Sequence, residues 1–307
     1  MLFVLGGMML AGLTACSGDD DTATNDSAPQ TADDGVKMRR LTITEADGGA
    51  AEARQALTRA SLTEGDGLTA KWTAGDALTY CNLSWVDYDN GEAPYSGGLK
   101  ATKTAATSQF TGDVECGNGD YLAVVYPATT FTTNTEYTIS LTGQDGTLAT
   151  LSTRYHYVFG KALVTAVTDK TADATIGRMK SLLTVCKFSF KDKATGNPLP
   201  ITTLEISYGG NPEIDSRAGK YPQAATVAIS NLTDPKDTHA SGTNITAPLS
   251  ISAGGATEVY VALLPTSAQR TFSFTVTNDN GTYTGTAKAT LTEGEYVEAT
   301  GLRLTKQ

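Results

Sequence analysis

The chain has 307 residues, and 40% of them are hydrophobic, which is enough to build two packed cores and excludes a chain that is disordered throughout. It carries 33 acidic and 23 basic residues, so its net charge is −10. A nucleic-acid-binding surface needs clustered Lys and Arg, so the charge balance argues against nucleic acid as a partner.

The N-terminal residues 1–15 form an apolar stretch that is too short to span a bilayer and ends in small residues before Cys16. This pattern predicts a secretion signal. The segment Leu13-Thr14-Ala15-Cys16 resembles the lipobox of bacterial lipoproteins. The resemblance implies that Cys16 is lipidated, with attached acyl chains such as palmitate, and anchors the chain in a membrane.

Residues 16–37 are acidic, with no basic residue before Lys37. Low apolar content and like charges predict an extended, solvated tether. Acidic residues directly after a lipidated cysteine also resemble the signal that sends some gram-negative lipoproteins to the outer face of the outer membrane. A simple flexible linker is the alternative, and both interpretations stay open.

The region after residue 60 contains runs rich in Thr, Val, Tyr and Leu, each bounded by Gly, Asn, Asp or Pro, which predicts an all-β protein. The predicted strands are 68–72, 77–86, 121–128, 137–141, 161–167, 181–190, 201–208, 225–230 and 258–265, followed by a C-terminal hairpin. That hairpin alternates Phe272, Phe274 and Val276 with hydroxyl side chains before a turn at 278–281.

The polar, turn-rich segment 165–177 has strands on both sides, and it places a domain boundary near residue 175. The predicted domains are therefore an N-terminal β-sandwich over 38–175 and a C-terminal β-sandwich over 176–307. No segment has a sustained helical period, so sheet packing has to build the cores.

The remaining cysteines are Cys81, Cys116 and Cys186, and an odd number excludes a fully disulfide-paired set. Cys81 and Cys186 alternate with apolar residues along their strands, which predicts buried free thiols. The chain has two histidines, His156 and His239. So few histidines argue against histidine-based catalysis and against a metal site built from several histidines. His156 is expected in a strand. We expect no enzymatic activity, no cofactor and no metal.

Several segments, taken in order, resemble the fimbrillin family of type V pilins and their accessory lipoproteins, which includes Mfa-like fimbrial lipoproteins. They are Cys16 with its acidic tether, the strand Leu41-Thr42-Ile43-Thr44, the loop ending in Leu57-Thr58-Arg59-Ala60-Ser61-Leu62, residues 71–78, residues 119–127, residues 181–208, residues 259–265 and residues 293–297.

The resemblance implies two transthyretin-like β-sandwich domains and a structural subunit of a cell-surface fimbria that assembles by donor-strand exchange. An arginine-specific protease would cut after Arg59, or alternatively Arg54. The cut would release a detachable strand whose core-facing side chains are Leu41 and Ile43. The partners implied are other fimbrial subunits, the outer membrane and the protease.

In the C-terminal segment, Tyr296, Leu302 and Leu304 are separated by even numbers of residues and would therefore lie on one face of a strand. This segment is expected to be either the last sandwich strand or a donor strand. Whether the subunit is a stalk, tip or anchor component stays open. The alternative function is a tethered surface adhesin or glycan-binding lipoprotein that does not polymerise.

Overall fold

The computed structural model describes residues 35–45, 61–65, 67–87, 91, 93–177, 179–229 and 239–307. The described chain is nearly all β-structure, which confirms the predicted all-β, sandwich-like fold class. The strands of the first half are β1 (Lys37–Glu45), β2 (Ser61–Gly65), β3 (Gly67–Lys71), β4 (Ala77–Asp87), β5 (Ala93–Ala101), β6 (Gln109–Cys116), β7 (Tyr121–Tyr126), β8 (Glu136–Ser140), β9 (Val158–Val167) and β10 (Thr171–Ile176).

The strands that follow are β11 (Lys180–Ser181), β12 (Thr184–Asp192), β13 (Ile201–Tyr208), β14 (Ala224–Ala228), β15 (Ala240–Thr243), β16 (Leu249–Ala256), β17 (Glu258–Leu263), β18 (Arg270–Asn278), β19 (Gly281–Ala289) and β20 (Tyr296–Lys306). A short helical segment runs through Leu148–Thr150 and Leu151–Tyr155. Within the residues that the structure describes, no helix is long and apolar enough to cross a membrane.

The first large sheet has the strand order β10-β1-β6-β5-β4-β7-β9-β11, and β10 pairs with β9 as well as with β1. The sheet therefore closes on itself, and within it β5 and β6 share two register pairs. Its interior holds a core cluster that includes Leu41, Ile43, Trp72, Phe110 and Ile176.

The second large sheet has the order β16-β13-β18-β19-β20-β12-β17, and the small sheet β15-β14-β8 joins a strand of the first half to strands of the second. The predicted C-terminal hairpin is present as β18 and β19, with Phe272, Phe274 and Val276 buried. The two large sheets share one arrangement. In each, an early strand lies between an antiparallel neighbour and a parallel one, β1 between β6 and β10, and β12 between β17 and β20.

The sequence of β7, YLAVVY, is almost continuously hydrophobic because both faces of the strand are buried. Leu122 and Val124 point into the closed first sheet, whereas Ala123 and Val125 belong to the core cluster built mainly by the second half. A strand that is buried on both faces loses the polar alternation of a half-exposed strand.

The structure corrects some of the local predictions. Residues 165–177, predicted as a turn-rich connection, contain β10, whose residues Ala172, Ala174 and Ile176 are buried. His156 is buried but lies before β9 and not in a strand. Strands β5, β6 and β16 were not predicted, because glycines and polar residues interrupt their hydrophobic alternation. The domain boundary near residue 175 stays a prediction.

Candidate functional site

Strand β1 is hydrogen-bonded along both of its edges. It runs antiparallel to β6, with Lys37–Thr44 opposite residues 116–109, and parallel to β10, with Arg40–Glu45 opposite residues 171–176. Neighbouring strands lie about 4.8 Å apart, so β6 and β10 are separated by roughly 9.6 Å, the space of one strand. We call this space, between β6 and β10, the β1 groove.

The apolar centre of the groove is filled by Leu41 and Ile43, both 0% exposed. Leu41 is opposite Gly112 and Ala172, and Ile43 is opposite Phe110 and Ala174. Because residues paired across a sheet project to the same face, the small residues Gly112, Ala172 and Ala174 leave room for the two aliphatic side chains. Leu41 and Ile43 therefore face the core, as the resemblance to the fimbrillins implied, and the release of their strand stays a prediction.

Gly112 shows how tightly this part of the groove is packed. A methyl group at its Cα would lie 2.3 Å from the carbonyl oxygen of Gly98 and 2.9 Å from Cδ2 of Leu99. Real Cβ atoms do not approach other heavy atoms so closely, so only glycine fits opposite Leu41 without displacing β5.

The two ends of the groove are polar, which the sequence did not indicate. The Arg39 side chain is 1% exposed, and its Nε donates a hydrogen bond to the Thr168 carbonyl oxygen at 2.7 Å. Its Nη1 donates to the carbonyl oxygens of Cys116 and Gly35. At the other end Glu45, 7% exposed, accepts hydrogen bonds from Trp72 Nε1 and from the Ser108 backbone N–H, both at 3.3 Å.

The hairpin formed by β2 and β3 follows β1 in the chain and is attached to the second half through Glu64. The Glu64 carboxylate accepts hydrogen bonds from Lys187 Nζ at 2.7 Å, from the Tyr296 hydroxyl at 3.0 Å and from the Tyr260 hydroxyl. The hydrogen bond from Lys187, followed by that from Tyr260, lowers the pKa of Glu64. Glu64 thus holds the chain directly after the predicted cleavage segment.

The remaining predicted site residues are distributed as follows. Cys16, Arg54 and Arg59 lie outside the described residues. Tyr296, Leu302 and Leu304 lie in β20, which pairs with β12 along most of its length and with β19 through two register pairs. Leu304 is buried there, so β20 is a sandwich strand in this structure, and its use as a donor strand stays a prediction.

The cysteines Cys81, Cys116 and Cys186 are free and buried, which confirms the prediction for Cys81 and Cys186. Burial raises the pKa of Cys81 and of Cys186 to about 12. Burial likewise raises the pKa of Cys116 to about 11, against the opposing influence of the Arg39 charge. Thiols with such pKa values are protonated at neutral pH and are poor nucleophiles.

His239 lies beside an ion pair: its Nδ1 is 2.8 Å from Glu293 Oε1, and Lys180 Nζ is 2.8 Å from Glu293 Oε2. The described part of the chain contains no group of three or more His, Cys, Asp or Glu side chains that could hold a metal ion.

The chain matches no family model and no curated protein. Among solved structures, it is similar to a proposed cell adhesion protein from Bacteroides uniformis ATCC 8492, with 16% identity, a TM-score of 0.49, and coverage of 88% of this chain and 96% of that chain. A proposed cell adhesion protein from Bacteroides eggerthii DSM 20697 gives 12% identity, a TM-score of 0.38 and coverage of 87% of each chain. The shaft pilin SpaA from Lactobacillus rhamnosus GG gives 10% identity, a TM-score of 0.33, and coverage of 89% of this chain and 98% of that chain. These values assign the chain to no family.

Proposed function

We propose that the chain is a structural subunit of a cell-surface fimbria of the type V pilus class, which resembles the fimbrillins and assembles by donor-strand exchange. In this proposal the subunit is exported as a lipoprotein, anchored through Cys16 at the outer face of the outer membrane, and cut by an arginine-specific protease at Arg59 or Arg54. It acts as a building block, without catalytic activity. The observation that carries the proposal is the position of β1 between β6 and β10.

Removing β1 would leave a gap of one strand, because β6 and β10 would each expose a row of unpaired backbone N–H and C=O groups. The gap would also uncover the apolar centre that Leu41 and Ile43 now fill. An open edge above an exposed core is unstable in water and tends to take up another strand. Strand addition of this kind draws affinity from main-chain hydrogen bonds and specificity from pockets for alternate side chains.

The contacts of Glu64 support a cut in the segment that precedes β2. Residues 46–60 separate β1 from β2 along the chain, and both predicted cleavage positions belong to them. The chain from β2 onward is fixed to Lys187, Tyr260 and Tyr296 through Glu64. Cleavage would therefore free β1 from its covalent link while the new N-terminal segment keeps its place.

N-terminal sequencing of the protein sheared from cells tests the processing step. The expected sequence starts at Ala60, or at Gln55 if Arg54 is cut. An intact, lipidated N-terminus at Cys16 in assembled fimbriae would contradict cleavage in a stalk subunit.

A disulfide lock tests strand exchange itself. Thr42→Cys with Thr111→Cys places two cysteines opposite each other on the outer face of β1 and β6. Under oxidising conditions, cleaved subunits of this variant should not polymerise, and reduction should restore polymerisation. Thr275→Cys with Thr284→Cys, opposite each other in β18 and β19, is the matched control and should polymerise in either state. Polymerisation of the oxidised β1 lock would refute the proposal.

The alternative, a tethered adhesin or glycan-binding lipoprotein that does not polymerise, is favoured by two exposed aromatic side chains. Trp85 is 47% exposed and Tyr121 is 41% exposed. The backbone N–H of Tyr121 donates to Ser84 Oγ at 3.1 Å, so the two aromatic residues lie on neighbouring strands. Saturable glycan binding that Trp85→Ala abolishes, in a protein that gives no protease-dependent oligomers, would support this alternative.

A further inference from the structure

The inward-facing side chains of β1 form a row with opposite charges at its ends. The row is Arg39, Leu41, Ile43 and Glu45, and all four side chains are buried. The cation and the acid are six residues apart, which corresponds to about 20 Å along a strand. Charged side chains are rarely buried unless specific partners satisfy them, so both ends of the groove must supply such partners.

At the Arg39 end, the groove supplies acceptors. They are the carbonyl oxygens of Thr168, from the turn between β9 and β10, and of Cys116, at the end of β6. A strand without a donor at this position would leave both carbonyl groups without the hydrogen bonds that the guanidinium now gives them. An acid at this position would bring negative charge against two carbonyl oxygens.

At the Glu45 end, the groove supplies donors. They are the indole Nε1–H of Trp72 and the backbone N–H of Ser108, and the Trp72 side chain is fully buried. Trp72 is held by edge contacts with Phe110 and Tyr126, at centroid distances of 4.9 and 5.7 Å. Because packing fixes the indole, its N–H keeps its direction, and a strand that fills the groove needs an acceptor at this position.

The comparison with β12 shows that the fold does not require this pattern. β12 lies between an antiparallel and a parallel neighbour, as β1 does, yet its buried row is Thr184, Cys186, Phe188 and Phe190. Asp192, the last residue of β12 on the same face, is only partly buried, so the structure buries a charge at each end of the row in β1 and none in β12.

We propose that the β1 groove selects the strand that replaces β1 by its polar ends as well as by its apolar centre. This inference rests on the proposed function. The selected strand carries Arg or Lys six residues before Glu or Asp, with apolar side chains at the second and fourth positions after the cation. It runs parallel to β10, because the reverse direction would place the acid against the carbonyl groups of Thr168 and Cys116. The partner is therefore another subunit that presents a strand with this pattern.

Peptide competition on the full-length chain tests the proposal. A recognition sequence for a site-specific protease is introduced between residues 50 and 58, and the chain is cut there, so that β1 stays bound without a covalent link. A fluorescent peptide of residues 36–46 is exchanged into the groove, and its anisotropy is followed. Unlabelled competitors carry Arg39→Leu, Glu45→Leu, or the exchange of both charges, Arg39→Glu with Glu45→Arg.

Each single replacement is expected to weaken competition about 10- to 100-fold, because buried partners of a charged group lose their hydrogen bonds. The charge-exchanged peptide is expected to be the weakest competitor. The matched control is Arg40→Leu, since Arg40 lies on the outer face, where it contacts Asp113 at 3.4 Å, and its peptide should compete within about 3-fold of the native one.

The outcomes separate the two proposals. If the native peptide exchanges and the Arg39 and Glu45 variants compete equally well, the polar ends do not select the strand, whereas strand replacement itself survives. If no peptide enters the groove of the cut chain, β1 is not replaceable, and both proposals are overturned.

Discussion

Ile43→Ala is expected to lower the free energy of unfolding by about 3 to 4 kcal/mol, because Ile43 fills the centre of the β1 groove. The change removes Cγ1, Cγ2 and Cδ1 from a fully buried side chain, and at ~0.8 kcal/mol per carbon the lost transfer free energy is about 2.4 kcal/mol. The cavity between Phe110 and Ala174 adds a further ~1 kcal/mol, since a strand that is paired on both edges cannot collapse into it.

Urea unfolding of the uncut chain measures this loss. The buried Trp72 packs against Phe110, the residue opposite Ile43, so tryptophan fluorescence reports on the groove. Thr44→Ala is the matched control on the outer face of the same strand, and it should cost less than about 1 kcal/mol.

Ile43→Ala should have a second effect in a chain that has been cut between β1 and β2. About 3 kcal/mol of lost contact should speed the dissociation of β1 roughly 100-fold, since 1.4 kcal/mol corresponds to a factor of ten. Equal stabilities for Ile43→Ala and Thr44→Ala would show that β1 is not part of the core, and the reasoning about the groove would then be refuted.

Three further predictions concern the surroundings of the groove. Gly112→Ala should lower the free energy of unfolding in urea by about 1–3 kcal/mol, because the added methyl group clashes with Gly98. Gly98→Ala is the control and should not destabilise the chain, since a Cβ at Gly98 meets nothing within 4 Å. Equal effects of the two changes would contradict the close packing at Gly112. Glu64→Gln should reduce hydrogen-exchange protection in residues 61–71 at neutral pH. In the unchanged protein, the same loss of protection should appear only as the pH falls below about 4.5 and through the lowered pKa of Glu64. A carboxylate with a lowered pKa in the folded state contributes its full stabilisation above its pKa in the unfolded state, and it loses that stabilisation as the pH falls through its folded-state pKa. Protection that does not depend on pH would contradict this. Cys81, Cys116 and Cys186 should not react with a thiol reagent at pH 8 until the protein unfolds, given their burial and raised pKa values, and rapid modification of the native protein at these positions would refute that expectation.

Local periodicity was enough to predict the strands whose two faces differ. Phe272, Phe274 and Val276 alternate with hydroxyl residues, and the structure buries them in β18. The same rule placed Cys81 and Cys186 in buried positions, whereas the core-facing side chains of Leu41 and Ile43 were implied by the resemblance to the fimbrillins. It failed for β6, because Gly112 belongs to the inward row of that strand and looks like a turn residue in the sequence.

The amino-acid sequence by itself determined the all-β fold class and the core-facing side of β18, because the two-residue period of a strand depends on neighbours in the chain. Only the tertiary structure decided that Arg39 and Glu45 point inward. Their partners Thr168 and Cys116 are 129 and 77 residues away from Arg39, and Trp72 is 27 residues away from Glu45. A charged side chain is expected at the surface until such distant groups satisfy it, and the pairing of β1 with both β6 and β10 brings them together.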